Sequence, residues 1–198
     1  MFIDIEGGNA SGKSTIIKCL VENLKNEGKK VIHLKSPTFP FDKMWQNIND
    51  CDLLTKYYFF RAIAQNDSEK IKRLKNEYDF VILERYLYET EAFDLTIEKL
   101  NGETTNLISK HINYSDLLKP DYVFFLDISD EERIKRIKER GNDIDICYWE
   151  KIEFQKIYNE FYRKIAMREK FIVIDAEKEI PERCVDKICE FIFTHYIS

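Results

Sequence analysis

The chain has 198 residues, 44% apolar and 34% charged, which predicts one globular domain, residues 1–198, able to bury its own core. Its net charge of −5 argues against nucleic acid as a partner, since that grip needs a basic face. No apolar run approaches the ~20 residues of a membrane helix. The five cysteines (19, 51, 147, 184 and 189) lack C-x-x-C spacing and the three histidines do not cluster. Reduced thiols, no structural zinc and a cytoplasmic setting are therefore expected. The first strand pattern starts at Phe2, so no signal or transit peptide is expected.

That strand, Phe2–Glu6, runs directly into Gly7-Gly8-Asn9-Ala10-Ser11-Gly12-Lys13-Ser14-Thr15. The stretch contains G-x-x-x-x-G-K-[ST], a loop whose backbone N–H groups wrap phosphate oxygens. Its lysine, Lys13, reaches the β/γ-phosphates, and the Ser14 hydroxyl serves Mg²⁺. A helix over Gly12–Glu27 follows, and strand–loop–helix is the context that separates this motif from a flexible turn. A second strand spans Lys30–Leu34, with Pro37 and Pro40 punctuating the loop after it. Helix Asp52–Glu77, with a possible break, leads to strand Phe80–Glu84 and helix Leu87–Leu100. Strand Tyr122–Asp127, helices Asp130–Arg140 and Tyr148–Lys170, strand Phe171–Asp175 and helix Pro181–His195 complete the chain. The alternation predicts an α/β fold: a P-loop NTPase with a doubly wound, five-stranded parallel sheet and helices on both faces. The last three strands are near-continuous apolar runs, as in parallel strands buried on both sides. Each ends in a carboxylate, at the edge where such sheets bind ligands; a lone acidic strand end is usually a turn residue, but several beside a P-loop favour an active-site edge.

Beyond the loop, Glu84 and Arg85 end the third strand, where an arginine can fork onto a phosphate. Tyr86, Glu89 and Phe93 follow at i, i+3 and i+7 on one helix face. Two aromatics flanking a carboxylate suit a slot for a flat ring; the plain alternative is core aromatics and a solvated Glu89. In the slot, Glu89 would accept a hydrogen bond from an amino- or hydroxyl-bearing pyrimidine. Tyr57 and Arg61, four apart, also share a face. They would stack on a base and read its edge, or Arg61 would pair with a surface carboxylate. Arg133, Arg136 and Arg140 stripe a helix that stops at Gly141. Helix, polar loop and second helix suit a lid over phosphates, at about residues 136–150; the plain alternative for the stripe is a solvated charged face.

In this order the elements resemble the thymidylate kinases. The likeness rests on Ile5-Glu6-Gly7…Gly12-Lys13-Ser14-Thr15, on Glu84-Arg85-Tyr86 and on Leu118-Lys119-Pro120-Asp121 before Phe124-Phe125-Leu126-Asp127. It continues through Glu139-Arg140-Gly141, through Tyr148…Phe154-Gln155…Tyr158…Phe161-Tyr162, and through Ile174-Asp175-Ala176. The resemblance implies transfer of the γ-phosphoryl of ATP, with Mg²⁺, onto a pyrimidine deoxynucleoside monophosphate. It implies a donor site at Gly7, Gly8, Asn9, Ala10, Ser11, Gly12, Lys13, Ser14 and Thr15, and a metal site at Ser14 and Glu84. It implies catalytic roles for Lys13, Glu84, Arg85, Arg136 and Arg140, and an acceptor site at Asn9, Tyr57, Arg61, Arg85, Tyr86 and Phe93, to which the reading of the helix face adds Glu89. A homodimer is implied as well.

The chain departs from the family pattern at several places. Asn9 stands for the P-loop aspartate, Ala10 for an arginine that some members carry, and Ile146-Cys147-Tyr148 for a lid Asp-Arg-[Phe/Tyr]. Glu89 stands where small residues are usual. These departures keep a second reading open: a deoxynucleoside kinase, which shares Glu-Arg after the third strand. That reaction needs a carboxylate to take the hydroxyl proton, and Ser36-Pro37 lacks the one usual there. A third reading, a nucleotide-binding module without turnover, is disfavoured by the intact Lys13 and Ser14.

Overall fold

The computed structural model describes residues 1–44, 48, 51–100, 115–139 and 152–196. Five parallel strands lie in the order β2-β3-β1-β4-β5: β1 Phe2–Glu6, β2 Val31–Lys35, β3 Phe80–Glu84, β4 Tyr122–Asp127 and β5 Ile172–Asp175. The central strand β1 is wholly buried, paired to β3 with Ile3 opposite Ile82 and to β4 with Ile5 opposite Phe124. Helices α1 (Lys13–Asn26) and α6 (Pro181–Tyr196) cover one face; α2 (Leu53–Leu74), α3 (Leu87–Leu100) and α5 (Ile152–Arg168) cover the other. The short α4 (Asp130–Glu139) follows β4.

The two-residue period of a strand explains the two cores. Ile3, Ile5, Phe80, Ile82, Phe124 and Leu126 pack under α1 and α6. Phe2, Val81, Leu83 and Phe125 face α2, α3 and α5. Asp4 and Glu6 share the side of Phe2, so this arrangement drives two carboxylates into the interior. Glu6 is held there by donors: the Tyr86 N–H at 3.1 Å and the Tyr162 hydroxyl. Burial, then the charge of Glu89, pushes the Glu6 carboxyl up to about 7.

Strand boundaries follow the sequence expectation closely, with β2 shifted one residue on, to Val31–Lys35. Helix α2 runs unbroken from Leu53 to Leu74, with Asp52 capping it by accepting from the Thr55 N–H at 3.0 Å. A 3₁₀ turn, Phe41–Lys43, lies in the proline-marked loop. The buried Asp67 on α2 pins that loop by accepting from the hydroxyls of Ser36 and Thr38, each at 2.6 Å.

Candidate active site

The loop after β1 is tight because its neighbours leave no side-chain space. A Cβ on Gly7 would lie 2.7 Å from the Leu126 carbonyl oxygen, and Gly7 has φ +144°, so only glycine fits. Gly12 opens α1 at φ +92°. A Cβ on Gly8 would lie 2.2 Å from the Arg133 guanidinium. That arginine is 1% exposed and donates to the Asn9 carbonyl oxygen, so α4 braces the loop from behind. Arg133 and Ile137, one turn apart, are the buried face of α4. The arginine stripe alone does not reveal this role; the shared phase of Arg133 with Ile137 is the signal.

Lys13 lies buried along the loop, its ammonium donating to the carbonyls of Gly7 at 2.5 Å and Gly8 at 2.9 Å. Burial, then the positive charge of Arg85, pulls its pKa down to about 7. The Ser14 hydroxyl donates to Glu84 at 3.2 Å. Glu84 also faces His33 at 3.7 Å and Lys35 at 3.9 Å from the neighbouring strand. Two other strand-end carboxylates turn away: Asp127 pairs with Arg163 at 3.0 Å, and Asp175 accepts from the Glu177 and Lys178 backbone. For Asp175 the turn-residue alternative describes the outcome.

Arg85 sits at φ +70°, between β3 and α3. One terminal nitrogen donates to the Asn9 side-chain oxygen at 3.0 Å; the other is ion-paired with Glu89. The negative Glu89 beside it holds the guanidinium firmly charged. From there a cavity of about 430 Å³ opens between α2, α3 and α5. Asn9, Arg85, Tyr86, Glu89 and Phe93, all candidates from sequence, line it. Phe93 and Phe154 meet with ring centroids 5.6 Å apart, and Phe154 stacks on Tyr158 at 6.0 Å, which makes one wall aromatic. Pro37, Phe60 and Ile63 also line the cavity, as do Thr90 and Gln155.

Tyr57 and Arg61 do not line it. The Tyr57 ring is spent in helix packing, against Leu54 and Ile97, and Arg61 pairs with Asp116 at 2.5 Å. Lys56, Phe60, Ile63 and Ala64 take the cavity side of α2 instead, one helical step away. Glu89 lines the cavity and is ion-paired there with Arg85. Arg136 bridges two carbonyls, Ala10 at 3.4 Å and Ala176 at 3.1 Å, and pairs with Glu132 at 2.8 Å. That places it on the β5 side of the loop, across from Arg85. Arg140 and the rest of the expected lid, to residue 150, lie outside the described residues.

The thymidylate kinase family model matches residues 5–188, nearly the whole chain. The chain belongs to the thymidylate kinase family. It is 32% identical over 194 residues to the thymidylate kinase of Sulfurihydrogenibium sp., covering 91% of each protein. It is also 32% identical over 187 residues to that of Plasmodium falciparum, covering 91% of this chain and 84% of the relative. In fold it is similar to the Candida albicans thymidylate kinase (TM-score 0.76, 23% identity, covering 98% of this chain and 92% of that one). It is similar too to the M. mycoides deoxyadenosine kinase solved with dCMP and dCDP (TM-score 0.70, 25% identity, 98% and 100% covered). Thymidylate kinases are phosphotransferases, and this chain is one of that class, with ATP the donor that the family implies. Among the described residues, no helix is long and apolar enough to cross a membrane.

Proposed function

We propose that the protein transfers the γ-phosphoryl group of ATP to thymidylate or a related pyrimidine deoxynucleoside monophosphate. The observation that carries this reading is the join between two sites. Arg85 spans from the P-loop residue Asn9 into a cavity of about 430 Å³ with an aromatic wall, within the range for a small-molecule site. A donor phosphate on the loop and an acceptor phosphate on Arg85 would meet there, end to end. Such transfer asks the protein for in-line positioning and fixed positive charge, not for a nucleophile.

In this reading Gly7 to Thr15 cradle the donor phosphates and Lys13 leaves its loop carbonyls for them. Arg85 grips the acceptor phosphate. Phe93, Phe154 and Tyr158 flank the base, with Thr90 and Gln155 offering polar contacts to its edge. Arg136, between Ala10 and Ala176, fits the base end of the donor. Ser14 and Glu84 offer a hydroxyl and a carboxylate 3.2 Å apart, oxygen donors suited to a hydrated Mg²⁺. Bound there, Mg²⁺ would neutralise charge on the donor phosphates. The lid and the homodimer belong to the same proposal. The test is steady-state kinetics across deoxynucleoside monophosphates, for the wild type and Arg85→Ala. The variant should raise the acceptor KM about 10- to 100-fold, the scale of a charged hydrogen bond pair, and leave the ATP KM within about twofold. An unchanged acceptor KM would remove Arg85 from the acceptor site.

A further inference from the structure

Arg133 carries a buried charge that the transfer described above leaves unused. Its side chain is 1% exposed, its Nε has no hydrogen-bond partner, and one terminal nitrogen donates to the Asn9 carbonyl oxygen at 2.5 Å. Two carboxylates have charge that reaches it, and both are committed elsewhere. Asp130 accepts from Asn159 at 2.6 Å, and Asp127 pairs with Arg163 at 3.0 Å. Two other arginines at the loop each have a carboxylate of their own: Arg85 has Glu89 and Arg136 has Glu132. A buried cation without a counter-charge destabilises a fold. The loop is nevertheless shaped to hold this one. Gly8 stands at a free position of the G-x-x-x-x-G-K-[ST] pattern, yet a Cβ there would lie 2.2 Å from that terminal nitrogen and 2.8 Å from Cζ. Residue 8 thus gives up a side chain to seat the guanidinium of residue 133.

We propose that Arg133 is a positioning residue of the donor site: it lends fixed positive charge to the donor triphosphate through the Asn9–Ala10 peptide, and the triphosphate is the counter-charge it lacks. The inference rests on the reading of Gly7 to Thr15 as the donor site and is independent of the acceptor. A trans peptide turns its carbonyl and its N–H to opposite sides. With the Asn9 carbonyl on Arg133, the Ala10 N–H of the same peptide points away from α4, and no described residue accepts from it. That N–H belongs to the set with which such a loop gathers an anion. A guanidinium on the carbonyl polarises the peptide and makes its N–H a stronger donor. Ala10 adds only a methyl group, so charge at this point of the loop comes from α4.

The experiment is calorimetric titration of the full chain with MgATP, alongside thermal melting and thymidylate turnover, for the wild type, Arg133→Met and Arg133→Lys. Arg133→Met keeps an apolar stem in the buried space and removes the charge. It should bind MgATP about 10- to 100-fold more weakly, the scale of a lost hydrogen bond to a charged group. Without nucleotide it should melt no lower than the wild type, since a buried unpaired charge is gone. Arg133→Lys keeps the charge and should regain most of the affinity, which a purely structural role would not give. Full MgATP affinity in Arg133→Met overturns the inference and leaves Arg133 a packing residue. Equal weakening in the Met and Lys variants overturns it too, because charge is then not the cause. Where Arg133→Met does not fold, Arg133→Gln gives the same comparison with Arg133→Lys. The expected affinities without thymidylate turnover in the wild type would uphold the inference and remove the monophosphate reading; a wild type that does not bind MgATP would remove both.

Discussion

Lys13 is buried against the carbonyls of its own loop, which is why its pKa falls to about 7. Donor phosphates would replace those carbonyls with negative charge and restore the ammonium. Binding of ATP at pH 8 should therefore take up close to one proton, because the free lysine is largely neutral there and the bound one charged. Calorimetric titrations in buffers of different ionisation enthalpy check this; a binding enthalpy independent of buffer would contradict it. Lys13→Ala should cut kcat about 10²- to 10³-fold, the scale of a lost transition-state donor. Lys13 and Ser14 were readable in the sequence because the motif fixes their spacing, and Arg85 because a strand end fixes its place. Tyr57 and Arg61 lie off the cavity, and for Arg61 the surface-carboxylate alternative describes its pairing: sequence shows that two residues share a face, not which neighbour that face meets. Packing against Ile97 took the Tyr57 ring, and Phe60 turned to the cavity.

At the level of elements, the strands were the most legible, since buried parallel strands are continuous apolar runs of fixed length. Helix phase was less so. Arg133 sits in a charged helix yet is buried because α4 lies on the phosphate loop, a fact of tertiary packing. The junction of β1, α3 and α5 carries a similar surprise, Glu6. Its pKa rises from 4.5 to about 7 on folding, so the folded state holds more protons between those values. Its contribution to stability therefore declines as pH rises from about 4.5 through 7. Urea melts at pH 5 and pH 8 should show Glu6→Gln less sensitive to that rise than the wild type. An identical pH response in both would mean that Glu6 ionises as freely in the folded chain as in the unfolded one.

For the whole molecule, the strand order brings the ends of β1 and β3 side by side, and the phosphate loop and Arg85 leave from those two ends. The doubly wound sheet was readable from alternation alone, and with it the edge where the site would lie. The cavity was not, because α2, α3 and α5 each contribute to it and their mutual phase is set only on packing. Phosphoryl transfer to thymidylate is read most directly by ³¹P NMR of the purified protein with ATP, Mg²⁺ and thymidylate. The thymidylate resonance should give way to thymidine diphosphate, with ADP formed in equal amount. Steady ADP formation with thymidylate left intact, or no turnover with any pyrimidine deoxynucleoside monophosphate, would contradict it.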